Sequence, residues 1–83
     1  MKILNSLGLH ARPSAQFVQI ASQFKSDVYL SKNDREVNGK SIMGVMTLAA
    51  EMGSLLTIKI DGHDEKNAME ALVNLINSKF NEE

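Results

Sequence analysis

The 83-residue chain contains no cysteine. It therefore has no disulfide staple, no thiolate metal site and no cysteine nucleophile, a composition that suits a reducing compartment. Aromatic side chains are few, three Phe and one Tyr, so a stacking platform for single-stranded nucleic acid lacks its parts. No apolar run approaches the ~20 residues that span a bilayer. The first residues, Met1-Lys2-Ile3-Leu4-Asn5, have no long apolar stretch of the kind a secretory signal carries. Neither sign of charge dominates: 9 Lys plus Arg stand against 10 Asp plus Glu, with the bases scattered from Lys2 to Lys79. A nucleic-acid binder is usually clearly basic. These absences leave one small cytoplasmic domain over residues 1–83, with 43% hydrophobic residues to build a modest core.

No repeat, low-complexity tract or linker interrupts the chain. Met1 to Leu4 reads as a short first strand. From Ala11 to Lys25, Phe17, Ile20, Ala21 and Phe24 recur at helical spacing, with Val18 widening the face. Val28, Tyr29 and Leu30 form a β-rich run, and Lys32-Asn33-Asp34 is a turn signal ahead of a returning strand, Arg35 to Asn38. Ser41 is a suitable N-cap for a short helix that stops before Gly53. In that helix Val45, Leu48, Ala49 and Met52 form the stripe expected to face the core. Leu56, Ile58 and Ile60 alternate with Thr57, Lys59 and Asp61, as in a half-buried strand. Asp64 is expected to cap a last helix to about Phe80, with Ala68, Leu72, Leu75 and Ile76 inward. The order β-α-β-β-α-β-α implies a two-layer α+β domain with helices on one side of an antiparallel sheet.

The segment Gly8-Leu9-His10-Ala11-Arg12-Pro13 concentrates the chemistry. Pro13 belongs in the first turn of a helix, where its missing N–H loses no bond. His10 then sits at the helix N-terminus, where the first amides have no intrahelical partner and carry partial positive charge. Such an end accepts anions, and the planar fork of Arg12 matches phosphate oxygens. A neutral imidazole is a nucleophile near pH 7. Nucleophile and oxyanion site together are what a phosphohistidine needs. A lone histidine at a helix start more commonly serves only as a cap, with a solvated arginine nearby. No nucleotide-binding loop or metal-ligand cluster accompanies it, so no cofactor is implied.

Leu7-Gly8-Leu9-His10-Ala11-Arg12-Pro13-Ser14-Ala15 closely resembles the active-centre signature of the HPr family of phosphocarrier proteins. Val37-Asn38-Gly39-Lys40-Ser41-Ile42-Met43-Gly44-Val45-Met46-Thr47-Leu48 resembles its second block, and Ile60-Asp61-Gly62-His63-Asp64-Glu65-Lys66-Asn67-Ala68 more loosely a third. The resemblance implies an HPr-like open-faced β-sandwich: a four-stranded antiparallel sheet of order 1-4-2-3, covered on one face by three helices. It implies that His10 is phosphorylated on Nδ1, with Arg12 and the backbone amides of Ala11 and Arg12 holding the phosphate. The donor would be enzyme I, charged by phosphoenolpyruvate, and the acceptor an EIIA-type domain in sugar transport or its regulatory branch. Such a carrier is expected to work as a monomer, exposed so that two proteins reach one nitrogen in turn, without nucleic acid or membrane insertion.

By the same resemblance Ser41 matches the family's regulatory serine, which in some lineages an HPr kinase/phosphorylase modifies. The alternative reading that follows is a regulatory protein of this fold acting through phospho-Ser41; family members of that kind lack the histidine. Ile42, Met43 and Met46 lie off the core stripe of the second helix. Either they widen the core face or, with Ala11 and Ala15, they form a partner-docking surface suited to adaptable methionines. His63 follows a turn glycine and reads as a solvated loop residue. Two departures from the family stand out. The segment ahead of His10 is short for the family's first strand, and Ser14 replaces a frequent alanine, a change expected to be small.

Overall fold

The computed structural model describes residues 2–5, 7–48 and 50–81. Helix α1 runs Ala11–Ala21, strand β1 Asp27–Lys32, β2 Arg35–Asn38, helix α2 Ile42–Thr47, β3 Thr57–Asp61 and helix α3 Glu65–Asn77, followed by a 3-10 turn Lys79–Asn81. The sheet is antiparallel with spatial order β2-β1-β3. Asn33 adopts φ 57° in the two-residue turn between Lys32 and Arg35, which pair across it. An asparagine tolerates that left-handed conformation better than most residues.

One face of the sheet carries the core. Val28 and Leu30 are buried, Ile58 and Ile60 pack against them, and Phe17, Ala21, Val45, Leu72 and Ile76 come down from the helices. The other face stays open: register partners Tyr29 and Lys59 stand on it, the Lys59 ammonium 5.7 Å from the ring centroid. That separation is within range of a cation–π contact. α1 lies between α2 and α3, touching both.

The structure corrects several expectations. The four-stranded sheet is three-stranded among the described residues. The expected first strand is reduced to one bridge, Lys2 to Leu55, with Ile3 exchanging bonds with its neighbours: its N–H donates to Ser54 O (2.9 Å) and its carbonyl accepts from Gly53 N (2.8 Å). α1 ends at Ala21 rather than Lys25, its last turn tightening as Phe24 N–H reaches back to Ala21 O. α2 stops at Thr47, so Met52 falls outside the helical phase and is 60% exposed rather than part of the core stripe. Ala49, placed on that stripe, lies outside the described residues. α3 ends at Asn77. Beyond it Lys79, Phe80 and Asn81 take positive φ, turning the fully buried Phe80 back into the core. Burying such a ring contributes about 1.5–3 kcal/mol, enough to offset part of that backbone strain.

Candidate functional site

The site is built where the chain leaves the N-terminal segment and enters α1. Gly8 has φ +67° and its N–H donates to Asn5 O (3.2 Å), forming a tight turn. Glycine is required twice over here: the dihedral is left-handed, and a Cβ would collide with the Ala50 carbonyl oxygen. Leu9, next in line, is buried and donates its N–H to Ala50 O at 2.8 Å. His10 follows at the N-cap position, with extended backbone (φ −79°, ψ −170°).

His10 makes no side-chain capping bond to the helix. Its carbonyl accepts the first helical bond, from Ser14 N at 3.0 Å. The amides of Ala11 and Arg12 therefore precede the first intrahelical donor, and Pro13 has no N–H to offer. Two backbone donors at the positive end of α1 thus lie directly after the imidazole. His10 is half-exposed, and Ala11 and Arg12 are exposed, whereas Pro13 and Ser14 are buried. Ala15 is half-buried one turn in. Two shallow, open depressions, one of about 530 Å³ at Gly62–Asn67 and one of about 480 Å³ beside the Lys32–Arg35 turn, are not lined by His10.

Ser41 is the N-cap of α2, its hydroxyl accepting from Gly44 N at 3.1 Å, and it is half-exposed. The following helix divides its side chains sharply. Val45 is fully buried, while Ile42, Met43 and Met46 are exposed, Met43 by 72%. These three do not widen the core; they form an apolar surface on a six-residue helix.

His63 is exposed in the turn before α3. Asp64 occupies the N-cap position, yet its carboxylate makes no capping bond and reaches across to the segment just before β1. It accepts from Lys25 N (2.9 Å), Ser26 N (3.0 Å) and the Ser26 hydroxyl. The Ser26 hydroxyl first, then the Lys25 amide, lower its pKa from 3.8 to about 2. Sequence spacing gave no sign of that partner.

Two buried polar residues frame the site. Ser14 is completely buried, and its hydroxyl donates to Leu9 O at 3.2 Å. The hydroxyl that stands where the family often has alanine is thus tied to the backbone of the loop. Asn5, also completely buried, donates from Nδ2 to Gly8 O at 2.8 Å.

A family model described as the PTS HPr component phosphorylation site matches residues 1–78. The phosphocarrier protein HPr of Neisseria meningitidis serogroup B is 57% identical over 82 residues, covering 99% of this chain and 92% of the relative. Among solved structures, HPr-C-His from Thermoanaerobacter tengcongensis superposes with a TM-score of 0.96 at 49% identity, covering 100% of this chain and 93% of that one. The Bacillus subtilis catabolite-repression protein Crh, described as a dimer with a swapping domain, superposes at 0.81 with 43% identity, covering 95% and 91%.

Proposed function

The chain belongs to the HPr family of the phosphotransferase system, and from that premise we propose that it carries a phosphoryl group on the His10 imidazole. The donor is phosphorylated enzyme I, charged by phosphoenolpyruvate, and the acceptor an EIIA-type domain. The reading rests above all on one observation: His10 occupies the N-cap position without using its ring as a cap, directly before two amides that have no intrahelical acceptor.

In the forward step the lone pair of neutral His10 Nδ1 attacks phosphorus in line with its bond to the donor. That bond breaks, and its electron pair returns to the donor. The three equatorial oxygens gather negative charge through the loose transition state. On this reading the Ala11 and Arg12 amides and the Arg12 guanidinium hold that charge. The same groups serve the attack by the acceptor's nucleophile, which breaks the P–N bond to His10 and returns its electron pair to the imidazole. Its exposed position lets two proteins take turns at one nitrogen.

Ile42, Met43 and Met46, with Ala11 and Ala15, form the docking surface for both partners. Ser41 adds regulation at its edge. A phosphate on that N-cap would be favoured by the positive end of α2 but would set charge beside an apolar contact face. An HPr kinase/phosphorylase is the enzyme class that would place it. The working form is a monomeric carrier in the cytoplasm; no helix among the described residues is long and apolar enough to cross a membrane.

Incubation with phosphoenolpyruvate and enzyme I tests the reading. An acid-labile phosphate should appear, vanish in His10→Ala and persist in His63→Ala. Label that survives His10→Ala overturns it.

A further inference from the structure

The Gly8–Leu9 peptide unit, two bonds from the residue that bears the imidazole, is gripped at both polar ends. Its N–H, on Leu9, donates to Ala50 O at 2.8 Å. Its carbonyl, on Gly8, accepts from His10 N at 3.0 Å and from Asn5 Nδ2 at 2.8 Å. Of these three bonds only the last uses a side chain. Asn5 has no exposed surface.

A buried amide is costly unless its bonds are made, and an apolar residue of similar size would fill the same space without that demand. Gly8 supplies a reason for the amide. Glycine has no Cβ to hinder rotation about its ψ, so the peptide that follows Gly8 is open to flipping. A flip would release Leu9 from Ala50 and reorient the backbone on which His10 is mounted. The Asn5 side chain opposes it by holding the Gly8 carbonyl inward.

We propose that Asn5 is a positioning residue for phosphoryl transfer: by fixing the Gly8 carbonyl it holds the imidazole of His10 in attack geometry beside the amides of α1. The inference rests on the phosphocarrier reading of His10. Asn5 touches neither phosphate nor partner. Its effect reaches the reaction through the backbone of Gly8, Leu9 and His10. Misplacing a reacting group by about an ångström can cost up to about 100-fold in rate.

The test uses Asn5→Ala and Asn5→Leu, the second keeping the volume while removing the donor. Each is the phosphoryl acceptor in steady-state assays with phosphoenolpyruvate and enzyme I, alongside wild type. For folded variants we expect kcat to fall about 10- to 100-fold, with KM for the carrier within about twofold. Amide and ring NMR shifts should move at Gly8 to Ala11, with faster exchange of the Leu9 amide and an unchanged core. Wild-type kcat in a folded variant, a loss confined to KM, or shifts spread through Val28, Leu30 and Ile76 would overturn the proposal. If neither variant folds, the wild-type protein decides. An Asn5 side-chain amide protected from exchange before and after His10 is phosphorylated supports the proposal, and one that exchanges as fast as exposed Asn33 overturns it. Wild type that takes no label removes the carrier reading and this inference together. Labelled wild type with equally fast variants removes only the inference.

Discussion

The Leu9 amide donates to the Ala50 carbonyl at 2.8 Å, and both residues are buried. This bond fastens the loop that carries His10 to the segment that follows α2. The imidazole and the exposed face of Ile42, Met43 and Met46 are therefore parts of one frame.

Gly8→Ala attacks that frame directly. The new Cβ would need a left-handed backbone and would strike the Ala50 carbonyl. We expect a loss of about 2–4 kcal/mol, lowering the melting temperature by about 10 °C or more. Thermal unfolding followed by circular dichroism checks it; a shift of only a degree or two would show that the loop relaxes freely.

Ser41 separates capping from regulation. Ser41→Ala removes the acceptor for Gly44 N, costing about 1 kcal/mol of stability, and should leave phosphoryl acceptance from enzyme I intact. Ser41→Asp keeps a cap but brings charge to the edge of the docking face, and should slow acceptance. Parallel urea titrations and transfer assays measure both. An aspartate variant as fast as wild type contradicts the regulatory role.

The exposed methionines are expected to matter for contact and not for folding. Met43 is 72% exposed and Met46 38%, so replacing both with Asp should shift stability by less than about 1 kcal/mol. The same double variant should raise the KM for enzyme I at least about tenfold through lost apolar contact. Unchanged KM in the folded variant would remove this face from the interface.

Acid stability depends on Asp64. Its carboxyl titrates at about 2 in the fold against 3.8 ordinarily, so the folded state binds its proton less readily. Its contribution is complete above pH 3.8 and is lost as pH falls through about 2. Asp64→Asn should lower the urea midpoint at neutral pH and flatten its decline across that window. Parallel acid limbs for the two proteins would contradict the role of the Ser26 and Lys25 bonds.

Much of this was legible in local pattern. The helical recurrence of Phe17 and Ala21, and of Ala68, Leu72, Leu75 and Ile76, marks the faces that are buried. The alternation from Leu56 to Ile60 marks a strand with one face inward. Gly8 through Pro13 place a histidine at a helix start, because Pro13 fixes where that start must be. The remainder depends on partners distant in the chain. Lys2 bridges Leu55, and Ile3 bonds Ser54 and Gly53, 50 or more residues away. Met52 leaves the core because α2 ends a turn early. Asp64 abandons its own helix for amides 38 and 39 residues away. Asn5 and Ser14 are ordinary polar residues until the fold encloses them beside the loop they hold.

The most direct test of the central claim is phosphorus NMR of the protein after incubation with phosphoenolpyruvate and enzyme I. The account predicts one phosphoramidate resonance, correlated with the ring protons of His10 and transferred away when an EIIA-type domain is added. A resonance correlated with His63, or none while enzyme I itself is phosphorylated, would contradict it.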